Sequence, residues 1–117
     1  MANKELFTRS ATEMIVLTVL AEQDMYAYQI GQEIKQRSHG LFSLSDGVLY
    51  SILYKLAKAG YVTEWTEESN RRIRVYYHLE PEGLARLSHL REEYQNLRDG
   101  IDAMLACEAL PCEDGES

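Results

Sequence analysis

Residues able to staple, break or catalyse are scarce in this 117-residue chain: two cysteines, two prolines, three histidines and one tryptophan. Cys107 and Cys112 have no histidine beside them, so they cannot complete a four-ligand zinc site, and they read as ordinary reduced thiols. His39, His78 and His89 are scattered, and no Ser/His/Asp or Cys/His constellation follows from their local contexts. There is no glycine-rich phosphate-binding loop. The carboxylate pair Glu67-Glu68 falls in a turn, where charge is usually just solvated. No catalytic residue, metal ligand or cofactor is expected, and the chain does not read as an enzyme. No apolar run approaches the roughly 20 residues of a membrane span. The polar start Met1-Ala2-Asn3-Lys4-Glu5 leads into no signal-peptide core. The expectation is a cytoplasmic protein with no membrane partner.

Basic charge is short as well. Twelve Lys and Arg face 19 Asp and Glu, a net charge of −7, which on its face disfavours nucleic acid. The distribution reverses that inference. Residues 92–117 hold eight acids against Arg98 alone and account for the whole excess, so residues 1–91 sum to zero. Local charge decides, because screening limits its reach to about 8 Å at physiological salt. An apolar fraction of 45% supports a real core in one small domain with an extended arm.

What is present is periodic. Ser10-Ala11-Thr12-Glu13 is a capping-box pattern that places the start of a first helix at Ser10. Met14 to Ala21 is apolar almost all round, so that helix must be covered on more than one side. Glu22-Gln23-Asp24 reads as a connection. Ala27, Ile30 and Ile34 mark the inner face of a second helix ending near Ser38 and closed by His39-Gly40. Ser45 is a good N-cap for a third helix, with Leu49, Ile52, Leu53 and Leu56 as its buried stripe and Gly60 at its end. Tyr61 to Thr66 and Arg72 to Leu79 are strand-patterned and joined by the polar turn Glu67-Glu68-Ser69-Asn70-Arg71. In the second strand Ile73, Val75, Tyr77 and Leu79 share one face, expected to point inward, and Arg72, Arg74, Tyr76 and His78 share the other. Pro81 suits the first turn of a last helix. There Leu87, Leu90, Tyr94, Leu97, Ile101 and Met104 repeat at spacings of three and four; a helix packed on its own domain would show such a stripe, but one this narrow is expected to be the seam of a coiled coil that needs a partner helix. The expected organisation is a winged helix-turn-helix over residues 1–80, a dimerisation helix over 81–106 and an acidic flexible tail over 107–117. The fold class is mainly α with a β-hairpin wing.

The third helix and the hairpin together can grip a duplex at two places. Gly47, Ser51, Tyr54, Lys55 and Lys58 occupy the polar face opposite the leucine stripe. Lys55 and Lys58 can neutralise phosphates or reach guanine acceptors; Tyr50, Ser51 and Tyr54 can hydrogen-bond phosphates or base edges. Gly47 lets the positive end of the helix approach a phosphate closely. Tyr50 suits a partly core position equally well. Arg71, Arg72 and Arg74 can hold the backbone or enter a minor groove, unless Glu64, Glu67 and Glu68 of the same hairpin engage them. Trp65 reads as wing packing. Tyr94, Met104, Met14 and Trp65 are apolar candidates for a small-molecule site but lack a polar set.

The series Gly47-Val48-Leu49-Tyr50, Leu53-Tyr54-Lys55-Leu56, Gly60-Tyr61-Val62, Arg72-Ile73-Arg74-Val75-Tyr76-Tyr77-His78-Leu79 and Gly83 resembles the PadR family of bacterial winged-helix regulators. Tyr26-Ala27-Tyr28-Gln29-Ile30 is similar to that family's second helix, and the single C-terminal helix to its small subgroup. Ser51 departs from the family's usual proline, Ala57 from glutamate, Val75 from lysine and Glu80 from threonine. The resemblance implies a homodimeric transcriptional repressor. The segment Ser45–Ala59 of each copy would enter successive major grooves of a near-palindromic operator in double-stranded DNA. It also implies that a small aromatic or cationic effector can bind at or near the dimer interface. The rival expectation is a winged-helix protein-interaction module that does not bind DNA.

Overall fold

The computed structural model describes the backbone of residues 2–109 and the side chains of residues 10–106. The chain forms two compact units, one up to Leu87 and one from Ser88 onward. Helix α1 spans Ala2–Leu20, α2 Ala27–Arg37, α3 Asp46–Lys58 and α4 Pro81–Ala109. Strands β1 (Met25–Tyr26), β2 (Val62–Ser69) and β3 (Arg72–Leu79) form one antiparallel sheet in the order β1-β3-β2.

The start of α1 corrects the expectation at Ser10, which lies inside the helix. Residues 2–20 contain neither proline nor glycine, so nothing interrupts the helix upstream of the capping-box pattern. Glu13 serves another purpose: its carboxylate accepts Arg86 Nε at 3.0 Å and Nη2 at 3.2 Å. Val16, Leu17, Val19 and Leu20 are all buried, as an apolar run without a polar face requires.

In α2 the buried residues are Ala27, Ile30 and Ile34, the expected inner face. Its end is a Schellman turn: the Gly40 N–H donates to the Lys35 carbonyl at 2.8 Å and the His39 N–H to the Gln36 carbonyl at 3.2 Å. The left-handed position is His39, φ 54°, with Gly40 beyond it also at positive φ. Helix α3 begins at Ser45, whose Oγ accepts the Val48 N–H at 3.2 Å. Leu49, Leu53 and Leu56 are buried and Ile52 is half-buried. Gly60, φ 84°, ends it.

The hairpin departs from expectation in three ways. Its turn is Asn70-Arg71 alone, both residues at positive φ (51° and 66°), the signature of a type I′ connection. Strand β2 therefore runs on to Ser69. Strand β1, too short to show a period, pairs Met25 with Tyr77 and Tyr26 with Tyr76 on the far side of β3. Finally, the inward face is covered only at its base. Met25, Val62 and Tyr77 are buried, but Ile73 is 69% exposed and Val75 is exposed too, because the helices cover only the lower part of the hairpin.

Helix α4 starts at Pro81 against the end of α3. The Tyr61 carbonyl accepts the Glu80 N–H at 2.9 Å, and Gly83 lies on the same carbonyl. A Cβ at Gly83 would overlap the Tyr61 oxygen and sit 2.6 Å from Leu79 Cδ1. Further along, Leu87 and Leu90 of the expected seam are 4% and 5% exposed. Tyr94, Leu97, Ile101 and Met104 remain exposed, Met104 at 72%. The helix extends through Cys107 to Ala109; Cys112 and the rest of the expected acidic tail lie outside the described residues.

The outer face of the sheet is fastened by Asp24, in the connection before β1. Its Oδ2 accepts Trp65 Nε1 at 2.8 Å and its Oδ1 lies 2.8 Å from His78 Nδ1. Partial burial pushes the Asp24 carboxyl up, but the bonds from His78 and Trp65 outweigh it and leave it below the usual range. The bond to Asp24 and that carboxylate's charge, with Glu80 adding to them, hold His78 above its ordinary value.

Two outcomes follow. Gly83→Ala should destabilise the chain by about 1–3 kcal/mol in urea unfolding, the overlap with backbone exceeding the gain in helix propensity. The Asp24–His78 clasp contributes stability that His78 loses as pH rises through its raised value and Asp24 loses as pH falls through its lowered one. It is complete between roughly pH 4 and 6.5. The melting temperature should therefore fall as pH passes from about 6 to about 8, and this fall should shrink in Asp24→Asn. Trp65, the only tryptophan, reports the change by fluorescence.

Candidate nucleic-acid interface

Helix α3 sets its side chains by the same periodicity that buries its leucines. Opposite Leu49, Leu53 and Leu56 lie Gly47, Ser51, Tyr54, Lys55 and Lys58, all exposed. A Cβ at Gly47 would meet nothing within 4 Å, so no contact in this chain requires glycine there. Lys58 Nζ stands 6.0 Å from the centre of the Tyr54 ring. Tyr50 is more than half exposed. Burial, then the charges of Glu64 and Tyr50, push the Tyr77 hydroxyl up.

Val48 was not among the expected contacts. It is 48% exposed, one residue from Gly47 and three from Ser51, on the same face of α3. A helical wheel shows its position. Exposed aliphatic carbon at the first turn of such a helix is the chemistry that meets a thymine methyl.

On the hairpin, Arg71 occupies the turn and Arg72 and Arg74 the outer face of β3. Residues directly opposite across the ladder share a face. Glu68 faces Ile73 and Glu64 faces Tyr77, on the inner side, so only Glu67, opposite Arg74, lies among the arginines. The ion pairs among the described residues engage Arg37, Arg86, Arg98, His78 and His89, leaving Lys55, Lys58, Arg71, Arg72 and Arg74 outside them, together with Lys35 on α2 and Arg91 on α4. Arg74 lies instead over the Tyr26 ring, 4.7 Å from its centre. Arg71 has φ 66°, a conformation that costs a side-chain-bearing residue about 1–2 kcal/mol and that glycine adopts freely.

Trp65 stacks on Tyr76 at 4.4 Å and 11°, which commits it to the sheet rather than to a ligand platform. Among the described residues no group of three His, Cys, Asp or Glu is placed to hold a metal ion, and no helix is long and apolar enough to cross a membrane.

Comparison with known proteins agrees with this arrangement. Residues 16–89 match the model of the Transcriptional regulator PadR-like family. A relative from Lysinibacillus sphaericus is 30% identical over 98 residues, 83% of this chain and 90% of its own length. A transcriptional regulator from Clostridium thermocellum superposes with a TM-score of 0.77 at 29% identity, covering 81% of this chain and 93% of that one. A Streptococcus mutans protein gives 0.71 at 36%, covering 80% and 85%. A PadR family transcription regulator from Clostridium difficile shares the fold, at 0.69 and 22% identity over 80% and 96% of the two chains. Regulators of this family bind DNA and are not enzymes. With its family match covering more than half of its length and a winged helix carrying unpaired cations on both α3 and the hairpin, this chain belongs to the PadR-like family of transcriptional regulators.

Proposed function

We propose that this chain is a homodimeric, sequence-specific repressor in which α3 reads a major groove and the wing holds the flanking backbone. The observation that carries the reading is where the cations outside the described ion pairs gather: Lys55 and Lys58 on one helix face and Arg71, Arg72 and Arg74 on the hairpin, with only Lys35 on α2 and Arg91 on α4 elsewhere. Gly47 gives the first turn of α3 room against a phosphate, while Tyr50, Ser51, Tyr54 and Lys55 supply hydrogen bonds and Val48 an apolar contact. Two positions support the same reading by being poorly chosen for stability alone. Arg71 stands where glycine is favoured, and Gly47 stands in a helix where alanine would fit.

A second copy supplies the second reading head. Tyr94, Leu97, Ile101, Met104 and also Leu105 form an exposed apolar stripe on α4, and stripes of this kind mark interaction surfaces. Half-sites of a near-palindromic operator lie about 34 Å apart. A small aromatic or cationic effector at the seam would act by rotating one head out of register. The unpartnered Ile73 and Val75 favour one other reading, a winged helix that docks on a protein and leaves DNA alone.

Fluorescence anisotropy at several salt concentrations, with DNA from upstream of the chain's own gene and with mixed-sequence duplex, separates the two. DNA binding should weaken steeply with salt, the slope scaling as about −0.9 per phosphate contact. Arg71→Gly should raise stability by about 1 kcal/mol yet lower affinity and reduce the slope by about one per head. Gly47→Ala should gain up to about 1 kcal/mol of stability and also weaken binding. Lys55→Ala should weaken binding and relax base preference. No binding at low salt, or unchanged affinity in all three variants, refutes the DNA reading. For the dimer, Leu97→Asp buries two unpaired carboxylates at a cost of roughly 3–5 kcal/mol each. It should sediment as monomer; a dimer that survives the change places the seam elsewhere.

A further inference from the structure

We propose that Tyr26 is a positioning residue for wing arginine Arg74, holding its guanidinium ready for a phosphate; the proposal rests on the DNA reading above. Arg74 Cζ lies 4.7 Å from the centre of the Tyr26 ring. That ring meets Tyr76 edge-on at 5.4 Å and 69°, and Tyr76 stacks on Trp65 at 4.4 Å and 11°. Trp65 Nε1 in turn donates to Asp24 Oδ2 at 2.8 Å. The row runs without interruption from the connection before β1 to the arginine.

The base of the row is fixed by backbone. Tyr26 pairs with Tyr76 in the sheet and is the residue immediately before α2, where its N–H donates to Gln29 Oε1 at 3.3 Å. The ring under Arg74 is therefore mounted on the start of a helix and on the central strand at once. Arg72, on the same face of β3 but nearer the turn, has no ring contact among the described residues, and neither does Arg71. Glu67, directly across the ladder from Arg74, forms no ion pair with it. The arginine takes the ring in place of the carboxylate.

A ring holds the guanidinium by its charge without supplying an oxygen acceptor, and so leaves N–H donors for a phosphate, which Arg grips with two parallel bonds. An arginine that is free to sample its rotamers loses that freedom on binding; one already ordered on a ring loses less. The charge on Arg74 and its pre-positioning are thus separable contributions, and they leave different traces. The charge sets the number of counterions released. The positioning changes affinity at a constant salt slope.

The test is a cycle of full-length variants titrated against fluorescein-labelled mixed-sequence duplex DNA over a range of salt. Arg74→Ala should lower affinity and reduce the salt slope by about one per reading head. Tyr26→Leu should lower affinity about two- to fivefold per head while keeping the wild-type slope. Tyr26→Phe keeps the ring and should restore wild-type affinity. In the Arg74→Ala background Tyr26→Leu should have no further effect. Arg74→Lys, at an exposed position where folding is not at risk, keeps the charge and loses the planar stack. It should behave like Tyr26→Leu. Equal loss from Tyr26→Leu in both backgrounds would mean that Tyr26 serves only the fold, and overturns the proposal, as does wild-type affinity in Arg74→Lys. Failure of the DNA reading looks different: Arg74→Ala would then change neither affinity nor slope.

Discussion

Burial of Tyr77 is the contact on which the rest of the winged unit depends. It lies on the central strand, with Met25 of β1 opposite on one side and Glu64 of β2 on the other, and it is the last residue toward the hairpin tip that the helices cover. Burying an aromatic ring of that size is among the larger single contributions a small core can receive, about 1.5–3 kcal/mol. Leu53 and Leu56 of α3 and Val62 of β2 are buried in the same core, so α3 and the base of the hairpin pack together. Their relative position is set by packing at the base, while the upper strands project with both faces open.

That division explains what the sequence could and could not disclose. Spacing alone located the buried faces of α2 and α3, because a three-and-four repeat has meaning only when one side is covered. Alternation in β3 located which residues share a face, but alternation does not say whether anything lies against that face. Ile73 and Val75 continue the apolar pattern of Tyr77 and Leu79 beyond the reach of the helices. Leu87 and Leu90 show the opposite case: they share the period of the exposed stripe and are buried. A period is a local property and cover is not.

Two further misses are local signals that lost to other local facts. The capping-box residues of Ser10 and Glu13 fit a helix start, yet an unbroken helix former upstream makes a start unnecessary. The hairpin turn was read too long because its left-handed pair is Asn-Arg rather than the usual Asn-Gly. Arginine in that conformation opposes its own propensity. Local conflicts of this kind concentrate where a residue is retained for something other than stability, and this one falls at the tip of the wing.

Charge on the hairpin follows from register in the same way. By composition the wing is compromised, since Glu64, Glu67 and Glu68 sit within a few residues of its three arginines. Strand pairing separates them, because a side chain alternates faces at every step: Glu64 and Glu68 accompany Tyr77 and Ile73, and only Glu67 shares the arginine face. An exposed cross-strand pair is worth about 0.2–1 kcal/mol even when its geometry is good. The Tyr26 ring competes for Arg74 at a similar energy without consuming its N–H donors. A carboxylate partner would neutralise the arginine; an aromatic partner orders it and leaves its charge facing out. Shifting β2 by one residue would bring Glu64 and Glu68 onto the arginine face and remove Glu67 and Trp65 from it, so the two-residue turn that sets the register also keeps that face from being neutralised.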